Sequence, residues 1–457
     1  MDFCYEQDSV LRLGKDGVWL ELARGIQQGD PLGPALFALA IQEHIVAARA
    51  EVEAQFPTLK HGGLDIVGFY LDDGAVAGKA ESVRLFCDSL KKRLAEVGLE
   101  FRPDKSQVMP SMAGNREPAH LFKDFQGTEG DGYVASGNFK FLGAPVGDKE
   151  FVEQFIKERI DKGRELLNKA GQLKDPSCAL HILRTCLGYC KITYALRTIP
   201  PGIQTQGLRD YGELQKETLQ EILRSGPLGP REWALAQLGI KVGGLGLRDP
   251  VAHAAGAYLS SYRDSWDIAA KLDPEFDASD SQGGSGLQDS INEANSYMGT
   301  EADFDFVSKP FKQKDVSTII DKALLDRLET DWQGEISFRA HLNLTTEKGA
   351  GAWLSAPPAD DTRLCTPQLF RLMLRRRLRM RILDREHQCP FCDDAMDCYG
   401  DHALSCMGGP HRNRRHNKIR DTLFRDFKLT NMITAKEKRG LLEGDRPCEE
   451  RSLSGHT

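Results

Sequence analysis

Two adjacent carboxylates follow an apolar segment early in the chain. Asp72 and Asp73 come directly after a stretch that runs from Ile66 to Leu71. Two like charges at contact distance repel each other and resist burial, so a protein has little structural reason to place them there. A divalent cation resolves this conflict, because Mg²⁺ prefers one or two protein carboxylates together with the oxygens of a bound phosphate. The pair therefore predicts a site for Mg²⁺, or Mn²⁺, at the turn after a strand.

Four metal-ligating side chains lie close together later in the sequence. Cys389 and Cys392 have two residues between them, nine separate Cys392 from His402, and three separate His402 from Cys406. Three thiolates and an imidazole fill a tetrahedral Zn²⁺ site, and the short spacings place each ligand pair on one turn. The spacing therefore predicts a zinc knuckle, with a set of unconnected free cysteines as the alternative. The further donors that could replace one of these ligands are Cys398, His411 and His416.

Cationic stretches flank the predicted knuckle on both sides. They are Arg371 to Arg381 (RLMLRRRLRMR) and His411 to Arg420 (HRNRRHNKIR). Arginine pairs with phosphate in a bidentate way, so the stretches predict backbone contacts to a nucleic acid, which supply affinity but little sequence choice. A solvated basic helix is the alternative. The candidate phosphate-binding residues are Arg375, Arg376, Arg377, Arg379, Arg381, Arg412, Arg414 and Arg415.

The segments before the carboxylates predict a hairpin and a helix. Alternation from Leu11 to Ala23 is typical of a hairpin whose turn is Gly14 to Gly17. Asp30 then suits an N-cap and Pro31 the first position of a helix that runs from Leu36 to about Val52. A plain turn followed by a core helix would use the same residues.

The segments after the carboxylates predict mainly helices. The spacing is helical from Ser82 to Val97, and Gly98 to Pro110 (GLEFRPDKSQVMP) predicts a short strand, a turn and another strand. Two more helices are expected, from Phe151 to Leu173 and from Ala179 to Thr198. The glycines of Gly243 to Asp249 (GGLGLRD) indicate a backbone turn. The cysteines expected to be buried as small apolar residues are Cys178, Cys186 and Cys190.

Composition bounds the class of protein. With 457 residues, 40% hydrophobic and 28% charged, the chain has room for several globular domains. The net charge of −7 hides an uneven distribution: Asp273 to Asp305 holds nine acidic residues and no Lys or Arg, which favours a flexible linker. Eleven cysteines with a late cluster suit a reducing compartment. Since neither a signal peptide nor a membrane-spanning run is present, we expect an intracellular protein, nuclear or cytoplasmic.

Four strings in order resemble the motifs of one enzyme family. Gly25 to Pro34 (GIQQGDPLGP) and Gly68 to Gly74 (GFYLDDG) resemble motifs B and C of reverse transcriptases. Gly98 to Pro110 resembles motif D, and Phe139 to Gly143 (FKFLG) resembles the short hairpin of motif E, which supports the primer end. The GIQQGDP form and the later FKFLG are similar to the enzymes of non-LTR (LINE-type) retrotransposons.

The resemblance implies an α+β fold: a partial polymerase palm of antiparallel sheet plus helices, then a helical thumb and a small zinc-knuckle region. It implies RNA-directed DNA polymerase activity by two-metal nucleotidyl transfer, with an RNA template and a DNA primer or target as partners. Asp72 and Asp73 would hold the metals, and Lys105 would be a general acid near the departing pyrophosphate, or else a solvated turn lysine. The residues implied to contact template, primer or nucleotide are Gln28 (alternatively a surface residue of a turn), Gly29, Asp30, Pro31, Tyr70, Phe139, Lys140 and Gly143.

The resemblance also implies an order of regions. These are a partial palm at 1–148, a helical thumb-like region at 149–262, an acidic flexible linker at 263–310, a helical connector ending in the Arg-rich helix at 311–385, the zinc knuckle with its basic flank at 386–425, and the remnant of an endonuclease-like domain at 426–457.

The ends of the sequence depart from the family pattern. The family's third metal-binding Asp belongs to motif A, well before motif B, whereas 24 residues precede Gly25 here. We therefore expect feeble polymerase activity or none from this chain alone. Glu437 to Pro447 (EKRGLLEGDRP) resembles the opening of the endonuclease-like domain, but the metal-binding Asp and Lys expected after its Arg-Pro pair are missing, so we do not expect nuclease activity. The alternative function is a non-catalytic, zinc-dependent nucleic-acid-binding protein derived from a retroelement. The sequence leaves the oligomeric state open.

Overall fold

A computed structural model describes residues 9–13, 17–22, 25, 29–110, 117–127, 132–134, 136–272, 276, 286–299, 304–355, 365–430 and 432–436. The chain divides into two compact units, 1–357 and 358–457. This boundary lies inside the predicted connector at 311–385, so that region is not one structural unit. The described residues are mostly helical, and their strands form four separate two-stranded antiparallel sheets. An α+β fold is therefore confirmed, although these strands do not join into one sheet. Among the described helices, none has both the length and the apolar character that crossing a bilayer requires.

The first unit begins with a hairpin and a long helix. Strands β1 (Ser9–Leu13) and β2 (Val18–Leu22) pair antiparallel with Leu13 opposite Val18, which confirms the predicted hairpin. Helix α1 (Gly33–Gln55) starts earlier than predicted, and its N-cap is Leu32 rather than Asp30. The Asp30 carboxylate instead accepts a hydrogen bond from the Leu32 N–H at 2.8 Å. This is an Asx turn, in which a short acidic side chain bonds the backbone two residues on.

A second hairpin packs against two helices. Strands β3 (Leu64–Tyr70) and β4 (Asp73–Gly78) pair antiparallel, and α2 (Ala80–Glu96) follows directly. Leu64 of β3 is buried against both helices. The buried residues of this core are Ala48, Val52, Leu64, Phe86, Cys87, Leu90, Phe122 and Phe125. The base of the hairpin is therefore held by the core.

The connection after α2 differs from the prediction. The described part of Gly98 to Pro110 contains a 3₁₀ turn at Pro103–Lys105 and a single bridge between Val108 and Tyr133, rather than two strands. Pro103 fixes φ and lacks an N–H, so it suits the first position of a helical turn better than a strand ladder. Strands β5 (Phe139–Phe141) and β6 (Ala144–Val146) then form a hairpin, as the motif E resemblance implies.

Four helices form the next part of the unit. They are α3 (Lys149–Gly171), α4 (Pro176–Ile182), α5 (Tyr189–Thr198) and α6 (Pro201–Leu223). Helix α3 packs on α6. The closest approach uses glycines: a Cβ on Gly163 would lie 3.1 Å from the Tyr211 ring, and one on Gly207 would lie 2.7 Å from Ile156. No residue-spacing prediction covers α6.

The predicted helix from Ala179 to Thr198 is interrupted. A π-helical turn at Leu183–Leu187 and then Gly188 separate α4 from α5. A Cβ on Gly188 would lie 2.7 Å from the Leu183 carbonyl oxygen, so the break depends on glycine. The prediction that the three nearby cysteines are buried is wrong, because all are exposed: Cys178, Cys186 and Cys190.

The acidic segment contains packed helix. Helices α7 (Pro230–Gln237) and α8 (Pro250–Leu272) are followed by α9 (Leu287–Met298), α10 (Gln313–Asp331) and α11 (Ile336–Thr346). Helix α9 buries one face against α8 and α10. The linker prediction for 263–310 is therefore wrong for its described residues. Between α7 and α8, positive φ at Gly243 (95°) and Gly246 (79°) confirms the predicted turn.

A charged and aromatic clamp joins α7 to α10 and α11. The Arg231 guanidinium lies 4.5 Å from the ring centre of Trp332 and 4.7 Å from that of Phe338. It also donates two hydrogen bonds to Glu335, at 2.9 and 2.6 Å. These contacts fix the helix ends to each other through one side chain.

The second unit is small. Helix α12 (Pro367–Arg377) is followed by strands β7 (His387–Gln388) and β8 (Ala395–Met396), and by helices α13 (Asp401–Ser405) and α14 (His411–Leu429). Phe370 and Leu374 of α12 are buried, and so is Leu378 directly after it. Every residue of α14 is exposed or half-buried. This helix also crosses the predicted boundary between 386–425 and 426–457.

Candidate functional site

The adjacent carboxylates lie at the tip of the second hairpin. Tyr70 pairs with Asp73 across the strands, so Leu71 and Asp72 form a two-residue turn. Leu71 has φ of 57°, a left-handed conformation that costs a non-glycine residue about 1–2 kcal/mol. Backbone strain of this kind persists only where the surroundings enforce it, and it concentrates at functional sites.

The hairpin tip is exposed, whereas Leu64 at its base is buried. Asp72, Asp73 and Tyr70 are exposed. Closer to the base, the Phe69 ring lies 6.5 Å from that of buried Phe86, and it covers Gly74, where a Cβ would lie 2.4 Å from Phe69. The sequence thus fixes the strands in the core while presenting two carboxylates to solvent.

These two carboxylates suit Mg²⁺ only as part of a ligand set. Mg²⁺ usually keeps several waters and takes one or two protein carboxylates plus substrate phosphate. Within the described residues, neither Asp72 nor Asp73 belongs to a group of three or more metal-ligating side chains. The pair can therefore supply two ligand groups, and the remaining ligands would come from water and phosphate oxygens.

The other residues implied for the polymerase reaction have different surroundings. Gly29, with φ of 100°, and Pro31 are exposed beside half-buried Asp30, whereas Gln28 lies outside the described residues. Lys105 is exposed at the end of its 3₁₀ turn. Its environment permits a proton-donating amine and equally permits a solvated lysine.

The β5–β6 hairpin is tied to the helices at both ends. At its tip, Leu142 and Gly143 both have positive φ, the conformation of a type I′ turn, and the Tyr194 hydroxyl of α5 donates to the Leu142 carbonyl. At its base, Asn138 exchanges two hydrogen bonds with Asp148, at 2.7 and 2.8 Å. These contacts hold half-buried Phe139 and exposed Lys140 in a fixed frame.

A cationic and aromatic row continues from this hairpin onto α3. The Lys140 ammonium lies 5.8 Å from the ring centre of Phe155, and the Arg159 guanidinium lies 5.9 Å from the same ring. Phe155 is half-buried, and cations beside an aromatic ring are the side-chain types that contact phosphates and bases of single strands. This row is therefore a second surface able to accept a nucleic acid.

The predicted zinc ligands come together in the second unit. The donor atoms of Cys389, Cys392, His402 and Cys406 all lie within 4.8 Å of one another. The Cys389–Cys406 and Cys392–Cys406 sulfur distances are both 3.7 Å, and the Cys392 sulfur lies 3.2 Å from His402 Nε2. A tetrahedral ion with Zn–S bonds of about 2.3 Å separates two sulfur ligands by about 3.8 Å. The donor set and its spacing therefore fit Zn²⁺.

Electrostatics in the cluster also favour a cation. A backbone hydrogen bond at Phe391 lowers the pKa of Cys389 to about 6. A backbone hydrogen bond at Asp394 lowers the pKa of Cys392, but burial and the sulfurs of the two neighbouring cysteines outweigh it and raise that pKa to about 11. The Cys389 thiolate is thus stable without a metal, whereas the Cys392 thiol needs a positive ion nearby to ionise.

Two aspartates support the cluster from outside. Asp397 accepts hydrogen bonds from the N–H groups of Tyr399 at 2.8 Å, Asp401 at 3.1 Å and His402 at 2.7 Å. Burial opposes the charge of Asp397, but these backbone donors outweigh it and lower its pKa. Asp401 in turn accepts from Arg376 at 2.9 Å and from Arg379 at 2.6 Å. The sequence pattern alone gave no sign of either role.

The spare donors have other partners. Cys398 is buried and accepts a hydrogen bond from Arg381 at 3.2 Å. The His411 ring packs on the Phe391 ring at 4.9 Å, and His416 lies on α14. None of these three belongs to the four-residue cluster.

The Arg-rich stretch before the cluster is largely internal. Arg377 and Arg379 are buried, at 5% and 4% exposure, and burial lowers the pKa of Arg377 to about 10. Arg379 also lies 4.2 Å from the centre of the Tyr399 ring. The prediction of exposed phosphate contacts is therefore wrong for these two residues. Arg376 forms an ion pair with Asp401, Arg375 is half-buried, and Arg381 is exposed.

The basic stretch after the cluster is exposed. Arg412, Arg414 and Arg415 all lie on the first turns of α14, and Arg415 donates to the Leu404 carbonyl at 2.8 Å. The first turn of this helix has no acidic residue to offset them. These cations remain available to a polyanion.

Comparison with known proteins bears on the first unit. Residues 5–146 match the family model described as reverse transcriptase (RNA-dependent DNA polymerase). This match supports a reverse transcriptase domain. It spans the hairpin with Asp72 and Asp73, the turn with Lys105, and the β5–β6 hairpin. A domain of this kind implies binding of a nucleic-acid template and primer and normally uses divalent metals. A search of curated proteins gave no match.

Proposed function

We propose that the chain is part of a non-LTR retrotransposon reverse transcriptase, with RNA-directed DNA polymerase chemistry in the first unit and nucleic-acid binding in the second. The observation that carries the first part is the coincidence of the family match at 5–146 with a hairpin whose strained turn presents Asp72 and Asp73. The GIQQGDP and FKFLG strings support the non-LTR type.

The residues have separate roles in this proposal. Asp72 and Asp73 would hold Mg²⁺ or Mn²⁺, which when bound stabilises charge on the attacking and leaving oxygens of an in-line displacement. Lys105 donates a proton to the departing pyrophosphate. Phe139, Lys140 and the type I′ turn support the primer strand, because both ends of their hairpin are anchored.

Primer extension tests the polymerase assignment. Replacing Asp72 with Asn removes one metal-binding charge and keeps the shape, so we expect extension of a DNA primer on an RNA template to fall at least about a hundredfold. Asp65→Asn is the matched control, because Asp65 is exposed on the same hairpin at the far end. Equal and measurable extension rates for the two variants would reject Asp72 as a metal ligand.

A second candidate function is non-catalytic binding of nucleic acid. It is favoured by the absence, within the described residues, of a third carboxylate grouped with Asp72 and Asp73. The full chain would then bind primer–template with normal salt dependence and extend no primer with either Mg²⁺ or Mn²⁺. Measurable extension that depends on Asp72 decides for the polymerase.

The second unit would bind zinc and phosphate. Cys389, Cys392, His402 and Cys406 would hold one Zn²⁺, and the cations of α14 would contact the nucleic-acid backbone. Replacing Arg414 and Arg415 with Gln should lower the slope of log affinity against log salt by about 1.8, at about 0.9 per lost contact. The control changes Lys91 and Lys92 of α2 to Gln, another adjacent and exposed cationic pair. Equal slopes for the two double variants would remove α14 from the interface.

A further inference from the structure

The loop between the first two predicted zinc ligands touches the start of α14. Phe391 lies between Cys389 and Cys392, and its ring packs edge-on against His411, the first residue of the helix, at 4.9 Å and 71°. The ring remains 45% exposed, so it does not belong to the apolar core of the unit. Phe391 thus links the ligand loop to a residue of the basic helix.

The link from the last ligand to α14 crosses the same loop. A Cβ on Gly408 would lie 1.9 Å from the Phe391 carbonyl oxygen. A Cβ on Gly409 would lie 3.0 Å from Phe391 Cγ and 3.3 Å from His411 Cδ2. The two glycines thus let the chain after Cys406 run in direct contact with the loop that carries the first two ligands.

Helix α14 contains no fully buried residue to fix its direction. All its residues are exposed or half-buried, so no apolar face is fully packed against the rest of the unit. Most helices in proteins are held by such a face. Two contacts reach back from its first turns to the same region: Arg415 donates to the Leu404 carbonyl at 2.8 Å, and Arg412 donates to the Met407 sulfur at 3.2 Å.

We propose that Phe391 is a positioning residue through which the metal-bound loops direct the exposed cations of α14 toward a nucleic-acid backbone. Zinc binding orders ligand loops that are otherwise poorly constrained. The Phe391 ring, packed between Gly409 and His411, transmits that order to the helix axis. This inference rests on the proposed zinc and nucleic-acid binding, and it adds that the two are coupled through one side chain.

The experiment uses the full chain, a short random-sequence DNA duplex and a zinc assay. Phe391→Ala should retain about one zinc per chain and lose about tenfold in affinity, with the salt slope reduced by up to about 1.8. Gly409→Ala, which leaves the ligand loop unchanged and places a methyl group against the Phe391 ring, should also lower the affinity and the salt slope. Phe391→Tyr should restore them. Phe427→Ala on the same helix is the matched control, because Phe427 is 47% exposed and lies outside the linkage.

The outcomes separate the inference from the function on which it rests. Wild-type affinity and slope in both Phe391→Ala and Gly409→Ala, with zinc retained, would overturn the positioning role. Equal wild-type affinity with and without a zinc chelator would overturn it as well. By contrast, a wild-type chain that holds no zinc, or that binds the duplex without salt dependence, refutes the proposed function itself. If Phe391→Ala loses its zinc, Gly409→Ala with zinc retained decides.

Discussion

Replacing Asp397 with Ala should weaken zinc binding although Asp397 touches no ligand atom. Its carboxylate accepts three backbone hydrogen bonds, from Tyr399, Asp401 and His402, and the last of these is the N–H of a predicted ligand. Alanine leaves all three donors without their carboxylate. The turn that carries His402 then loses its preferred shape, and zinc binding must restore it.

The magnitude follows from these three contacts. Hydrogen bonds to a charged group contribute about 1.5–3 kcal/mol each, but the contributions do not simply add. Asp397 is half-buried, so water replaces part of the loss. Substitutions that remove support for a metal ligand typically cost between about tenfold and about a hundredfold in metal affinity. We therefore expect a loss near the upper end, about 2–3 kcal/mol, for Asp397→Ala, and about tenfold for Asp397→Asn, which keeps one acceptor oxygen.

Competition with a chromophoric zinc chelator measures this loss directly. The control is Asp393→Ala, since Asp393 is an exposed carboxylate in the same loop. Thermal unfolding with and without added zinc gives a second measurement, because weaker metal binding stabilises the folded unit less. If Asp397→Ala and Asp393→Ala release zinc at the same chelator concentration, the three hydrogen bonds do not support the site and the reasoning is refuted.

Two further predictions concern the first unit. Arg231→Met should lower the free energy of unfolding, measured by chemical denaturation, by about 2 kcal/mol, because two cation–π contacts and a forked ion pair are lost together. Glu335→Gln, which removes only the ion pair, should lower it by less than half as much. Equal losses for the two variants would mean that the Trp332 and Phe338 rings contribute no stability. The Arg84 guanidinium holds the pKa of Asp124 below its usual range, so this pair stabilises the fold at pH values above the ordinary carboxyl pKa and stops doing so as the pH falls through the lowered one. Acid unfolding should therefore be less steep in Asp124→Asn than in the wild type, and parallel acid transitions would contradict this.

Local patterns in the sequence predicted the hairpins and the zinc cluster well. A continuous apolar run defines the strand before Asp72, and short spacings already place Cys389 and Cys392 on one turn. These features depend on neighbours in the chain. The left-handed Leu71 was not predictable, because nothing in its residue type favours positive φ.

Distant partners explain most of the failures. Arg377 and Arg379 lie in a stretch whose composition indicates a solvated cationic surface, but the fold buries both. Arg379 pairs with Asp401, which lies 22 residues later in the chain. The linker prediction relied in the same way on acidic composition and overlooked the helical spacing of Leu287, Ala294 and Met298. The fold buries these three residues on one face of α9.

The cysteine prediction rested on residue type alone, and that was not enough. Cys178, which precedes the π-helical turn at Leu183–Leu187, and Cys190, which follows it, are both exposed. A π-helical turn inserts one extra residue, which rotates the following helix by about 100° relative to a regular one. Regular spacing across the predicted helix therefore also assigns the wrong face to residues after the turn.

The double anchoring of the β5–β6 hairpin has a mechanical consequence. Hydrogen bonds between Asn138 and Asp148 hold its base to the start of α3, and the Tyr194 hydroxyl of α5 donates a hydrogen bond to its tip. The hairpin therefore belongs mechanically to the helices that follow it, although the family match assigns it to the domain before it. If α3 and α5 move relative to the Asp72 hairpin, we therefore expect the β5–β6 hairpin to move with them as one rigid body. The backbone that changes conformation would then lie before Asn138.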